Sequence, residues 1–184
     1  MALARVRAAT LEDAPTLAAL HRVTWQAAYS ELLPPGTLDG LDAPQVGQAW
    51  AETVDGGATV LIATEGDDPV GFVVAGPAPE DDVADADGTL PSDASHTMLV
   101  STLLVTPRWG RRGHGGRLLA TAATMLRDAG ATRGIVWVLA RDPASLGFYR
   151  RAGWDPDGTV RTLDASGWPL REVRLTGPLD LVLT

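Results

Sequence analysis

Between residues 96 and 130 the chain passes from an almost unbroken apolar stretch, HTMLVSTLLVTP, through RWGRRGHGG into RLLATAATMLRDAG. An apolar run without alternation is the pattern of a strand covered on both faces, and Pro107 ends it because proline supplies no ladder donor. From Gly115 the spacing changes: Leu118, Leu119, Ala122, Met125, Leu126 and Ala129 fall on one helical face, and Gly130 stands where such a helix stops. The junction between strand and helix holds Gly113, Gly115 and Gly116 together with Arg111, Arg112 and Arg117. Glycine lets bare amides approach a ligand, and the amides of a helix start attract an anion. The junction therefore reads as an anion cradle suited to a diphosphate, with the arginines screening its remaining charge; a merely tight surface turn is the alternative. For His114, between two glycines, a solvent-facing side chain is the default.

Familiar nucleotide motifs fit badly. The chain has no G-x-x-x-x-G-K-[ST], and all 15 of its basic side chains are arginine, so a phosphate-binding lysine is excluded. The dinucleotide fingerprint fails because Leu118 stands where the third glycine would be. The same 15 arginines face 23 acidic residues, and the net charge of -8 repels nucleic acid and anionic lipid at long range. Cysteine is absent, which removes disulfides, zinc thiolates and thiol nucleophiles together. Three widely spaced histidines do not make a metal site. The start, MALARVRAATLEDAPTL, has no continuous apolar segment of signal-peptide type, and no apolar run is long enough to cross a membrane. The expectation is a cytoplasmic protein of 184 residues forming a single domain over 1–184.

The remaining segments place this junction in a layered fold. ARVRAAT predicts a first strand ending near Thr10, followed by a helix with Leu17, Leu20, Val23 or Thr24, and Ala27 at helical spacing. Thr10 with Asp13 has capping-box spacing, but Asp13 as N-cap leaves Pro15 in the first turn, where it is tolerated. Pro34, Pro35 and Gly36 break the chain, and a second helix runs from about Pro44 to Val54. Two strands, Thr59 to Ala63 and Val70 to Ala75, flank the turn EGDDP. Residues 76–95 are acidic and aperiodic and read as a solvated loop, or alternatively as a substrate-selecting lip. GIVWVLA is the next strand, Asp142-Pro143 starts a helix that Gly153 stops, and 154–184 form a final antiparallel pair. A single mixed sheet with helices on its faces accounts for this α/β order.

LLVTPRWGRRGHGGRLL resembles the pyrophosphate-binding motif of GCN5-related N-acetyltransferases, with Val105, Pro107, Gly113 and Gly115 at the family's spacing. WVLARDPASLGFYRRAGW is similar to the strand and helix that this family places beside the cofactor thiol, and ATLEDAPTLAALHRVTWQAAYSELLP to its first strand and helices. The resemblance spans almost the whole chain and implies a mostly antiparallel central sheet with helices on both faces. It further implies acetyl-CoA as co-substrate, an amine-bearing acceptor, no nucleic acid or membrane partner and no metal, with a homodimer left open. Cofactor binding would fall to Leu103, Leu104 and Val105 on the central strand, to Arg111, Arg112, Gly113, His114, Gly115, Gly116 and Arg117 in the turn, and to Asp142, Ser145 and Phe148 further on. Tyr149 would be the acid that protonates the departing thiolate, and Phe148 is also read as a core residue.

Three positions depart from the family pattern. Gly110 stands where Gln or Arg is frequent, Asp142 where asparagine is common, and Leu99 near the position of a frequent catalytic glutamate. Leu99 takes no proton, so the base is another group or the amine arrives neutral. His96 and Glu31 are the candidates, each with a structural alternative, and Trp25 and Tyr29 lie where the family often builds its acceptor wall. Beside the enzyme reading stands an acyl-CoA-binding regulatory module that has lost turnover.

Overall fold

The computed structural model describes residues 3–34, 36–42, 44–165 and 167–181; Pro35 and the last three residues of the expected C-terminal pair lie outside them. Its strands are β1 (Ala4–Ala8), β2 (Thr59–Glu65), β3 (Asp68–Pro77), β4 (Thr97–Val105), β5 (Arg133–Leu139), β6 (Asp155–Ala165) and β7 (Trp168–Gly177). The helices are α1 (Ala14–Tyr29), α2 (Pro44–Asp55), α3 (Glu80–Val83), α4 (His114–Asp128) and α5 (Pro143–Arg151). The strands follow the order β1-β2-β3-β4-β5-β7-β6 in one seven-stranded sheet. β4 and β5 pair in parallel, whereas β1 with β2, β5 with β7 and β6 with β7 are antiparallel. The sheet is thus mixed, as the element order predicts, and mostly antiparallel and flanked by helices, as the resemblance implies. No helix among the described residues is long and apolar enough to cross a membrane.

The chain forms two compact units, Met1–Val74 with Thr102–Leu119, and Ala75–Ser101 with Ala120–Thr184. In the first, Leu17 and Leu20 of α1 and Trp50 of α2 bury against Ile62 and Phe72 of β2 and β3, with the Trp50 and Phe72 rings edge to face at 5.0 Å. Of the two capping positions offered by the sequence, Thr10 forms its box with Asp13, whereas the Asp13 side chain makes no cap hydrogen bond to α1. Thr10 opens a short 3-10 turn over Leu11–Asp13, and Asp13 precedes α1 with proline in its first turn. The Asp13 carboxylate accepts two hydrogen bonds of 2.7 Å from Arg7 and one of 2.8 Å from the Thr10 amide.

That arrangement makes a pH prediction. The Arg7 hydrogen bonds hold the Asp13 carboxyl well below the usual carboxylate range, outweighing the opposing effect of burial. A depressed carboxyl contributes stability that is fully present above its unfolded pKa, about 3.9, and is lost as pH falls through the folded value. Asp13→Asn is therefore expected to lower Tm modestly at neutral pH, since Arg7 is half-exposed and screened by solvent. The gap from the parent should narrow on acidification, and parallel Tm curves from pH 7 to pH 2 would refute the assignment.

β2 and β3 run two residues beyond each inner end expected, because Thr64, Glu65 and Asp68 continue the strands with polar side chains that hydrophobicity does not mark, and Asp68-Pro69 reads as a turn. α4 begins at His114, one residue earlier than expected. Its apolar face is narrower: Leu118, Leu119, Ala122 and Leu126 are buried, but Met125 is 45% exposed and Ala129 is exposed, while Ala123 is buried.

In the second unit the acidic stretch departs from a solvated loop. Glu80–Val83 is a single helical turn with Val83 buried. Asp82 accepts from Trp137 Nε1 at 2.8 Å and from Arg161 at 2.6 Å, and Arg174 donates to the carbonyls of Asp82, Val83 and Ala84 at 2.8 to 2.9 Å. A segment with so many polar residues docks because two arginines and an indole satisfy it. The β6–β7 ladder shifts register between Pro156 and Val160, and the resulting bulge brings Asp157 and Thr159 to the same Arg174 side chain at 2.7 and 2.9 Å.

Candidate active site

The glycine-arginine junction lies in the first unit. Leu103, Leu104 and Val105 are half-buried on β4, and a Cβ at Gly71 of β3 would meet the backbone of Leu104 and Val105, so glycine there permits close approach. The Thr106 amide donates to Val70 O at 2.9 Å, and a 3-10 turn over Pro107–Trp109 follows. Arg111 has φ 59° and Gly113 φ 82°. A non-glycine residue in the left-handed region is strained, and such turns point successive amides into a common concavity that suits anions. The Arg117 amide closes the first turn of α4 on Gly113 O at 3.0 Å, and its guanidinium folds back to Arg112 O at 3.1 Å. Gly115 and Gly116 are half-buried in that turn.

His114 corrects its expectation. The side chain is 1% exposed and lies with Nε2 2.9 Å from Glu65 Oε2, while Trp109 presents an edge-to-face contact at 6.3 Å between ring centroids. Glu65 also meets Arg112 Nη1 at 3.3 Å, and the Arg112 guanidinium lies 4.7 Å from the centre of the Trp109 ring. Nothing in the sequence signals Glu65, which belongs to a strand 47 residues upstream of Arg112.

In the second unit Asp142 is buried and caps α5: it accepts from the Ser145 amide at 3.0 Å and from the Ser145 hydroxyl at 2.6 Å. Tyr149 is 5% exposed, whereas Phe148, read as core, is only half-buried. Gly153 adopts φ 83°, and Trp154 N then donates to Tyr149 O at 3.0 Å. This stacks the Trp154 indole on the Tyr149 ring, with 5.7 Å between centroids and 26° between the planes. The indole occupies a slot in the sheet: Gly134 and Gly177 are register partners, and a Cβ on either would run into the Trp154 ring. Its Nε1 donates to Pro178 O at 2.9 Å.

The proposed bases differ in setting. His96 is exposed at the end of a 3-10 turn preceding β4, with Nδ1 3.0 Å from Ser95 Oγ. Glu31 is exposed in the turn after α1. Leu99 is half-buried, opposite Ile135 in the last pair of the β4–β5 register. On α1, His21, Trp25 and Tyr29 form an aromatic ladder with centroid separations of 4.9 and 5.3 Å. His21 also contacts Trp50 at 5.6 Å, and burial holds its pKa below the ordinary histidine value. No group of three or more metal-ligating side chains is assembled among the described residues.

The model of the acetyltransferase (GNAT) family matches residues 19–154. A probable N-acetyltransferase of Mycobacterium tuberculosis is 29% identical over 161 residues, covering 86% of this chain and 83% of that protein. An uncharacterized N-acetyltransferase of Bacillus subtilis is 28% identical over 174 residues, covering 94% and 92% respectively. Among solved structures, the PaiA N-acetyltransferase of Thermoplasma acidophilum in complex with coenzyme A aligns with a TM-score of 0.69 at 14% identity over 96% of this chain and 99% of that one. That last likeness speaks for the fold, and the family match spans both the glycine-arginine turn and the helix bearing Tyr149. The chain belongs to the GNAT acetyltransferase family.

Proposed function

We propose that the protein transfers the acetyl group of acetyl-CoA to a primary amine by direct attack. The observation that carries this reading is the turn before α4, where the left-handed Arg111 and Gly113 and the half-buried Gly115 and Gly116 offer amides to a diphosphate. Acetyl-CoA supplies the activated acyl carbon. Residues Arg111 to Arg117 bind and orient, with Arg111 and Arg112 exposed to meet phosphate charge and the main chain making the closer contacts. Asp142 and Ser145 satisfy one another, so their part is to start α5, which bears Phe148 and Tyr149. Backbone donors of β4 polarise the carbonyl, and the Tyr149 hydroxyl gives its proton to the departing sulfur. A phenol of reference pKa about 10 suits that transfer. The amine attacks in its neutral form, with His96 or Glu31 as proton acceptor.

Acetyl-CoA consumption against a panel of amines, beside calorimetry with CoA, tests this assignment. Tyr149→Phe keeps the ring and its stack on Trp154, so kcat should fall about 10²-fold with CoA affinity within two-fold of the parent. A Y149F protein that turns over at the parent rate while chemistry limits the reaction removes Tyr149 from its role. Leu99, where relatives frequently carry a glutamate, favours a second reading as a CoA-binding module; CoA binding without turnover across the panel would support it.

A further inference from the structure

We infer that Glu65 and the buried His114 form a latch that fixes the first turn of α4 in its anion-binding conformation. This rests on the assignment of that turn to the CoA diphosphate. Glu65 is the last residue of β2 and is held in register with Ala4 of β1. From this fixed point its two oxygens reach both sides of Gly113, Oε1 to Arg112 at 3.3 Å and Oε2 to His114 at 2.9 Å. Gly113 is the residue with most backbone freedom to lose, and it adopts φ 82°. Anchoring its two neighbours to one carboxylate restricts the turn before any anion arrives, which lowers the ordering cost of binding.

The hydrogen-bond pattern at His114 makes the pair directional. An ionised carboxylate only accepts, so Nε2 carries the hydrogen. Nδ1 is buried and has no partner among the described residues, and a hydrogen there would be a buried donor without an acceptor. The geometry therefore selects the tautomer protonated at Nε2, and Glu65 is its orienting group. A carboxylate close to a phosphate site would otherwise repel the ligand. Here it is matched to Arg112 and to the imidazole N–H, and Arg112 is further steadied over the Trp109 ring. Glu65 is accordingly a positioning residue that acts through its neighbours.

Glu65→Gln keeps an acceptor for His114, whereas Glu65→Leu keeps none. If the carboxylate merely repelled the anion, both changes would tighten CoA binding. The latch predicts the opposite: E65L weakens CoA about ten-fold by calorimetry, E65Q less than three-fold, and His114→Leu about as much as E65L. The double variant E65L/H114L should be no weaker than the weaker single, since the two residues act as one unit. In E65L the KM for acetyl-CoA should rise with the CoA Kd while kcat at saturation stays within two-fold, a split that general destabilisation would not give. Hydrogen exchange supplies a readout independent of CoA: the Arg117 amide, bonded to Gly113 O, should exchange at least ten-fold faster in E65L, with the last two turns of α4 unchanged. Unchanged exchange at Arg117, or an E65L Kd within two-fold of the parent, overturns the latch. A parent protein that binds no CoA overturns the diphosphate assignment instead, and the exchange result still decides whether the latch holds the turn.

Discussion

Arg174→Met is expected to lower folding stability by about 3–5 kcal/mol, the range for removing one partner from a buried charged network. Arg174 is 3% exposed, and each of its nitrogens is engaged. Nη1 meets three carbonyls, Nε meets Asp157, and Nη2 meets Thr159 and, at 3.5 Å, Asp85. Methionine fills much of the volume but leaves the carbonyls at the end of α3 and the Asp157 carboxylate facing an apolar chain. Water can reach the partly exposed Asp157, so the loss should lie toward the lower end of the range. For a chain of this size that corresponds to a Tm lower by about 10 °C. Arg174→Lys should rescue little, because one ammonium cannot span a carboxylate, a hydroxyl and three carbonyls as a planar fork does. The α3 segment should also become protease-sensitive between residues 79 and 88 before the rest of the chain. Denaturation midpoints matching the parent for both variants would show that α3 docks through Val83 alone.

This network also marks the limit of what the sequence discloses. The periodicities of α1, α2, α4 and α5 and the apolar runs of β2 to β5 are written in side-chain type at spacings of a few residues, so these elements are legible. So is the glycine-arginine turn, because its backbone conformation calls for particular residues at fixed offsets. Arg174 carries no such signal within REVRLTG: it and the adjacent Leu175 are both buried, although neighbours on a strand point to opposite faces. Its partners come from α3 and from a bulge in β6, and no local pattern announces a contact across 90 residues. Glu65 and His114 are hidden for the same reason. Glycines flanking a histidine suggest exposure, and only the pairing of β2 with β1 sets a carboxylate where the imidazole can be buried. A motif marks Tyr149, yet its support by Trp154 depends on Gly134 and Gly177, two glycines that meet only when β5 and β7 pair.

Trp154→Ala is expected to cost about 3–5 kcal/mol in stability, as for other buried Trp-to-Ala changes, and to depress turnover in the protein that remains folded. The indole is fully buried, and the slot left by its removal is framed by the backbone of Gly134 and Gly177, which sheet pairing prevents from collapsing. The Pro178 carbonyl loses its donor and Tyr149 loses the ring it stacks on. Urea midpoints measure the first effect. The second is separated by Trp154→Phe, which retains an aromatic surface under Tyr149 but no N–H, and should fold with a smaller loss. If the indole positions the phenol, W154F should show a reduced kcat with an acetyl-CoA KM near the parent value, at a temperature where circular dichroism shows it folded. Gly177→Ala approaches the same contact from the other side. A methyl at this position points into the indole, and overpacking of about 1–3 kcal/mol follows, with Trp154 and then Tyr149 displaced. Equal losses of stability and turnover in G177A and W154F would tie the two effects to one side chain. A G177A protein with parental Tm and kcat would show that the strand yields, and that the Tyr149 ring is held by α5 alone.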